Sequence, residues 1–228
     1  KDVTAKVDAG AFAISGTMEM DQPLEVAVTF DAQNDRFCPL TKAVLPERVL
    51  KTIEGLKLDG AYVIDGGGMR VRVDGNQDWE AQFDARMALQ NAKALVGVPI
   101  TQMNGELEIR AIAHSDDPYP QLELEFNASR LLAEQRMVSP LSIQMVTNAQ
   151  TNDLDIRQLT GRCYGGTLMG GGVVRLDGGG QYTIDLRIQD VALDPFIRAG
   201  GRAESPPSTS INVGRDRPSG LFSASMTV

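Results

Sequence analysis

Apolar and polar residues alternate along most of this chain. "PLEVAVTFD" sets Leu24, Val26, Val28 and Phe30 on one side, with Glu25, Thr29 and Asp31 on the other. "MRVRVD" sets Met69, Val71 and Val73 against Arg70, Arg72 and Asp74. The longest run, "DWEAQFDARMALQ", opposes Trp79, Ala81, Phe83, Ala85, Met87 and Leu89 to Glu80, Gln82, Asp84 and Arg86. "ELEIRA", "QLELEFNA", "QYTIDLRIQD" and "LFSASMTV" repeat the rhythm. A period of two is the signature of a strand buried on one face and wet on the other. Parallel strands covered on both faces would read as continuous apolar runs, so the pattern predicts a mainly β, antiparallel sheet.

Turn residues fall between the runs. "DGGGMR" and "DGNQD" bracket the strand at Met69 to Val73, and "HSDDPYPQ" separates two more. Helix signals are few. "LPERVLKTIEGLKLDG" places Pro46 in a first helical turn and Leu45, Val49, Ile53 and Leu56 on one stripe, predicting a helix near Leu45 to Leu56. "ASRLLAEQR" and "LDPFIRAG" are each read as a short turn or helix, and Ala203 to Gly220 as a polar loop. The expected architecture is a curved, elongated, groove-like sheet with one to three short helices. It has a β-rich segment over 1–120 and a second over 121–228, continuous with the first.

Nine glycines crowd the 22 residues from Leu159 to Gly180, and they raise the question of a phosphate-cradling loop. A dinucleotide fingerprint needs a helix immediately after the glycines, so that its N-terminus holds the pyrophosphate. Here the glycines lead into Val173 to Leu176 and another glycine cluster. No GxxxxGK[ST] is present either. The expectation is that the glycines serve turns, bulges and bends of a curved sheet.

Composition narrows the function classes. The net charge is -8 and aromatic residues make up 5% of 228, so the surface repels phosphate backbones and the apolar interior is aliphatic. No nucleic-acid partner is expected. Cys38 and Cys163 lie far apart without a CxxC, which leaves a disulfide or two buried thiols. No apolar run nears the ~20 residues of a membrane-crossing helix. The chain starts without Met and stops inside an alternating run, and it is read as an excerpt of a longer protein.

Candidate chemistry is sparse. His114 in "AHSDDPYP" has serine and aspartate beside it, but there is no GxSxG elbow, and it is read as a surface-turn residue. Asp74, Asn76 and Asp78 open like a calcium loop, yet Trp79 stands where Gly is required and Ala85 where a bidentate Glu is required. Asp116 with Asp117, and Asp153 with Asp155, sit in hydrophilic loop context, where solvation explains them. "NAS" at Asn127 fits a glycosylation acceptor, a pattern common by chance. The reading is a non-enzyme with no catalytic, metal or cofactor site and no cofactor.

With these runs laid out, the segment from about Leu122 to Val228 resembles the AsmA-like family of bacterial envelope proteins. The residues that carry this are "LDIRQLTGRCYGGTLMGGGVVRL", then "YTIDLRIQDVALDPFIRA" and "RPSGLFSASMTV". They follow the family's order of a strand, a YGG-type hairpin, a Gly-bearing return strand, an alternating strand and a short helix. The first half fits more loosely, through "LPERVLKTIEGLKLDGAYVID" and "FDARMALQNAKALVGVPITQMNGELEIRA". The resemblance implies a periplasmic protein, tethered to the inner membrane by an anchor outside this segment. It also implies a β groove that handles phospholipid or other acyl lipid between membranes, in support of outer-membrane biogenesis.

The residues fit this independently. One-sided aliphatic strands need an apolar partner, which acyl chains supply as well as a second protein layer does. Trp79, Phe83, Met87, Leu89, Ile109, Leu124, Phe126, Ile184 and Leu186 are expected on one side of the sheet, as the lipid-facing residues. Glu80, Glu108, Glu125 and Asp185 are expected to face water. The alternative is a structural or adhesive extracellular β protein with a closed core and no ligand.

Overall fold

The structure, a computed structural model, describes residues 3–7, 10–19, 23–34, 57–75, 78–96, 98–117, 120–148, 150–151, 153–175, 181–192, 195–196, 199 and 222–227. These residues build one antiparallel sheet of twelve strands. The strands are β1 (Val3–Val7), β2 (Gly10–Glu19), β3 (Leu24–Asn34), β4 (Asp59–Val73), β5 (Trp79–Val96) and β6 (Val98–His114). There follow β7 (Gln121–Ala133), β8 (Arg136–Thr147), β9 (Asp153–Cys163), β10 (Gly166–Arg175), β11 (Tyr182–Gln189) and β12 (Phe222–Thr227). Their spatial order is their chain order, a meander in which β1 and β12 form the two edges. The sheet is therefore open and not a barrel.

In an antiparallel ladder directly paired residues share a face, so the register can be followed from edge to edge. One rung runs Ala5, Phe12, Ala32, Ile64, Met87, Leu107, Phe126, Ile143, Leu159, Gly170, Leu186 and Ala224. Every position on it is apolar or glycine. The opposite face carries charge, as in the rung Arg86, Glu108, Glu125, Gln144 and Gln158.

The alternation slips by one residue at recurring places. Leu89 and Ala92 stay on the apolar face with Gln90 and Asn91 between them; Ala128 and Leu131 enclose Ser129 and Arg130; Val138 and Leu141 enclose Ser139 and Pro140. Register shifts mark these bulges in β5, β7 and β8, a further one lies in β6 between Thr101 and Asn104, and Arg157–Gln158 forms another in β9. Each bends its strand and adds twist.

Three expectations need correction. Of the turn or helix expected in "ASRLLAEQR", a turn forms at its end and no helix: β7 runs to Ala133, and Glu134 and Gln135, at φ 46° and 69°, make a two-residue hairpin. Its Ala128–Leu131–Leu132 spacing imitates a helix because of the bulge. "DGGG" at Asp65 to Gly68 is not a turn before a strand. It lies within β4 as a bulge, where Gly66 (φ 68°) donates its N–H to Asp31 Oδ1 at 2.7 Å. Asp153 and Asp155 belong to β9 and not to a loop, because alternation already begins there; Asp155 Oδ2 accepts from Asn148 Nδ2 at 3.2 Å.

The helix expected near Leu45 to Leu56 and the loop at Ala203 to Gly220 lie outside the described residues. In "LDPFIRAG", Pro195 and Phe196 are helical, and Phe196 N–H donates to Ala192 O at 3.3 Å. No helix among the described residues is long and apolar enough to cross a membrane.

Candidate functional site: the apolar face

The glycine-rich stretch shows how the face is shaped. Tyr164 and Gly165 (φ 47° and 82°) form the β9–β10 hairpin turn. Gly170 and Gly172 follow on the apolar face of β10, paired to Leu186 and Ile184. A Cβ on Gly172 would project from that face and strike Thr183 O, with Ile184 Cα at 3.0 Å. The β11 backbone therefore leans over the apolar side. Gly105 on β6 is in the same position against Asn127 O and Ala128 Cα of β7. The sheet is creased toward its apolar side at both strand pairs, and missing side chains permit the crease. Among the described residues of this stretch the glycines lie in strands and a hairpin turn.

Register places all nine singled-out residues on this face. Trp79, Phe83, Met87 and Leu89 lie along β5. Ala85 pairs with Ile109, Ile109 with Leu124, and Leu107 with Phe126. The path then runs from Leu124 through Met145, Ile156 and Gly172 to Ile184, and from Phe126 through Ile143, Leu159 and Gly170 to Leu186. Glu80, Glu108, Glu125 and Asp185 occupy the other face. Asp185 is exposed, whereas the three glutamates are half-buried among cross-strand neighbours. Arg86 reaches Glu108 Oε1 through Nη2 at 2.6 Å, and Gln82 Nε2 donates to Glu80 Oε1 at 2.6 Å. His114 closes β6 on this polar face, half-buried and 3.9 Å from Glu80, instead of standing in the turn.

Depth differs sharply along the face. At the end where β5 finishes, Leu89 is 4% exposed, Ala92 0% and Leu131 3%. They join Tyr62, Met103, Val138, Cys163 and Leu168 in one packed cluster. At the end where β5 begins, Trp79 is 41% exposed, Met69 42% and Met18 60%. Leu124, Ile184 and Leu186 are half-buried between these extremes. Phe30 bridges part of the gap. Its ring lies over Gly67, where a Cβ would come within 2.5 Å, and stacks on Phe83 at 5.8 Å between centroids.

The packed end carries polar groups that the alternation did not single out. Arg136 pairs with Glu134 at 3.3 Å and lies 4.8 Å from the Phe196 ring, which meets Tyr164 edge-on. Cys163 is a buried free thiol, and Cys38 lies outside the described residues. Burial pushes the Cys163 thiol up, against a smaller lowering by Arg136. At the other end of β10, where Tyr182 pairs with Val174, burial raises Tyr182 as well, and its hydroxyl is buried with no hydrogen-bond partner among the described residues. An open hollow of about 870 Å³ lined by Glu106, Asn127, Ser142, Thr160 and Arg162 lies on the polar face, so it does not measure room on the apolar one.

Among the described residues no three His, Cys, Asp or Glu side chains are grouped to hold a metal ion. Comparison with protein-family models, with curated proteins and with solved structures gives no match.

Proposed function

We propose that this chain is a lipid-handling, non-enzymatic segment of an AsmA-like envelope protein, carrying phospholipid acyl chains on its apolar face in support of outer-membrane biogenesis. The observation that supports this most is the rung of apolar residues crossing all twelve strands of an open sheet, over which no second sheet lies among the described residues. At ~4.8 Å per strand gap the rung is about 50 Å broad, against a bilayer hydrocarbon core of ~30 Å. Acyl chains laid on such a face gain roughly 25 cal/mol per Å² of apolar surface removed from water. Membership of the family rests on the order of strand, Tyr164–Gly165 hairpin, glycine-bearing β10, alternating β11 and a helical turn at Pro195. The location that goes with it is the periplasm, with the membrane reached through an anchor outside this segment.

The test is lipid loading of Leu124→Asp and Ile184→Asp beside the parent chain, with bound lipid identified by mass spectrometry. Both positions are half-buried, so the variants should fold and lose lipid, because a carboxylate obstructs an apolar path. Folded variants that load lipid normally would rule out the groove. A second reading, a structural β protein with a dry core, draws on the packed cluster around Leu89 and Leu131. It requires a parent chain that purifies folded and free of lipid.

A further inference from the structure

Resting on the lipid-handling reading, we infer that lipid loads at the corner of the sheet where β2 ends and β5 begins, acyl chains first, and that the headgroup this corner selects bears an ammonium group. The first observation is the gradient of depth. Met18, Met69 and Trp79 lie on one face at one end and are the exposed large apolar side chains there. The same face at the far end is filled by the Leu89–Leu131–Leu168 cluster, with Arg136 and Phe196 stacked beside it. An acyl chain therefore meets open apolar surface at the Trp79 end and packed protein at the other. Tryptophan and methionine suit such a mouth: indole places an apolar body beside a wet edge, and methionine adapts to a fluid partner.

The second observation is charge. Glu19, Asp74, Asp78, Asp116 and Asp117 are all exposed at the ends and turns of the strands around this corner. Of them, Asp74 is ion-paired, to Arg72 at 3.4 Å. At the opposite end the exposed acids Asp59, Glu134 and Asp190 are accompanied by Lys57 and Lys93, whereas the five acids of this corner outnumber its exposed cations, Arg70 and Arg72 of β4. A headgroup resting at the acidic mouth is favoured by a cationic ammonium and opposed by a net negative charge. The complement is a zwitterionic phospholipid such as phosphatidylcholine or phosphatidylethanolamine. Phosphatidylglycerol, with phosphate charge alone, is disfavoured.

Trp79 is the chain's one tryptophan and stands at the proposed mouth. The full chain would be incubated with vesicles of phosphatidylcholine brominated either near the carboxyl end or near the methyl end of its chains. Bound lipid is quantified by mass spectrometry in the same samples. Quenching of Trp79 should be several-fold stronger with bromine near the carboxyl end. Loading from phosphatidylcholine should exceed loading from phosphatidylglycerol several-fold at low salt, and the preference should fade at high salt. Asp78→Asn combined with Asp116→Asn and Asp117→Asn should bring the two lipids toward parity, lowering phosphatidylcholine loading and raising phosphatidylglycerol loading. Glu134→Gln, at the opposite end, should leave the preference unchanged. Lipid that binds yet quenches Trp79 equally from both positions or not at all, or that is preferentially phosphatidylglycerol, overturns this inference and leaves lipid handling standing. A chain that binds neither lipid overturns both.

Discussion

An aspartate placed at three depths of the apolar face should have three different costs. Leu131 is 3% exposed inside the packed cluster. Removing its side chain alone costs about 2–5 kcal/mol through lost burial and the cavity left behind. A carboxylate in its place adds the penalty of an unpaired buried charge, several kcal/mol more unless it takes up a proton. The sum is comparable with the whole ~5–15 kcal/mol that holds a typical domain together. Leu131→Asp should therefore be unfolded or close to it at neutral pH. Met69, at 42% exposed, lets a carboxylate reach water, and Met69→Asp should cost about 1 kcal/mol, near the centre of measured point-mutant values. Leu124→Asp, half-buried, should fall between them. Urea unfolding followed by circular dichroism gives all three midpoints with one slope if the denatured states are alike. Equal losses at Met69 and Leu131 would refute the gradient, because they would mean that the Trp79 end is as thoroughly covered as the other.

Gly172→Ala should destabilise by several kcal/mol in the same assay, since its Cβ lands on the β11 backbone; a cost below about 1 kcal/mol, the ordinary propensity range, would show that the crease is soft. Replacing Glu134–Gln135 with Asn–Gly should raise stability by about 1 kcal/mol, because both residues hold left-handed φ that side chains such as theirs disfavour. Raised folded-state values for Cys163 and Tyr182 mean that the unfolded chain releases those protons first. Their contribution is complete below the ordinary thiol value of about 8.5 and is lost as pH climbs through the folded values. Cys163→Ala should flatten the first part of that decline, and a stability that rises above pH 9 would contradict the assignment.

The strands were legible because one face of each is apolar, and alternation records that directly. What blurred the reading was loss of phase. "ALQNAKAL" breaks alternation at Gln90 and Asn91, so the long run from Trp79 reads as ending at Leu89, whereas β5 continues to Val96. "ASRLL" slips at Ser129 and Arg130 and takes on helical spacing, and "DGGG" looks like a turn while forming a bulge within β4. A bulge and a strand end share one local signature, two polar or glycine residues in succession. They differ in whether the neighbouring strand continues alongside, and that is information about pairing, which a single strand's period does not contain.

Depth on the apolar face was not legible for a related reason. Trp79 and Leu89 stand ten residues apart in one alternating run and look equivalent, yet one is 41% exposed and the other 4%. Alternation sets which side of a sheet a residue takes; how deeply it is buried depends on what the bent sheet brings over it. At the Leu89 end, bulges in β5, β6, β7 and β8 and the crease at Gly105 draw neighbouring strands together, and side chains from β3 to β10 meet in one cluster. The corner at Trp79 holds to regular pairing through Val73–Trp79 and Ala81–Ala113, and Met18, Met69 and Trp79 keep their exposure, while Leu154 and Tyr182 farther along that end are buried. The same face thus divides into a part that holds the fold and a part that is free to meet another molecule. Substitutions at Leu131 and Leu159 should act on stability, whereas those at Met18, Met69 and Trp79 should act on what the chain binds.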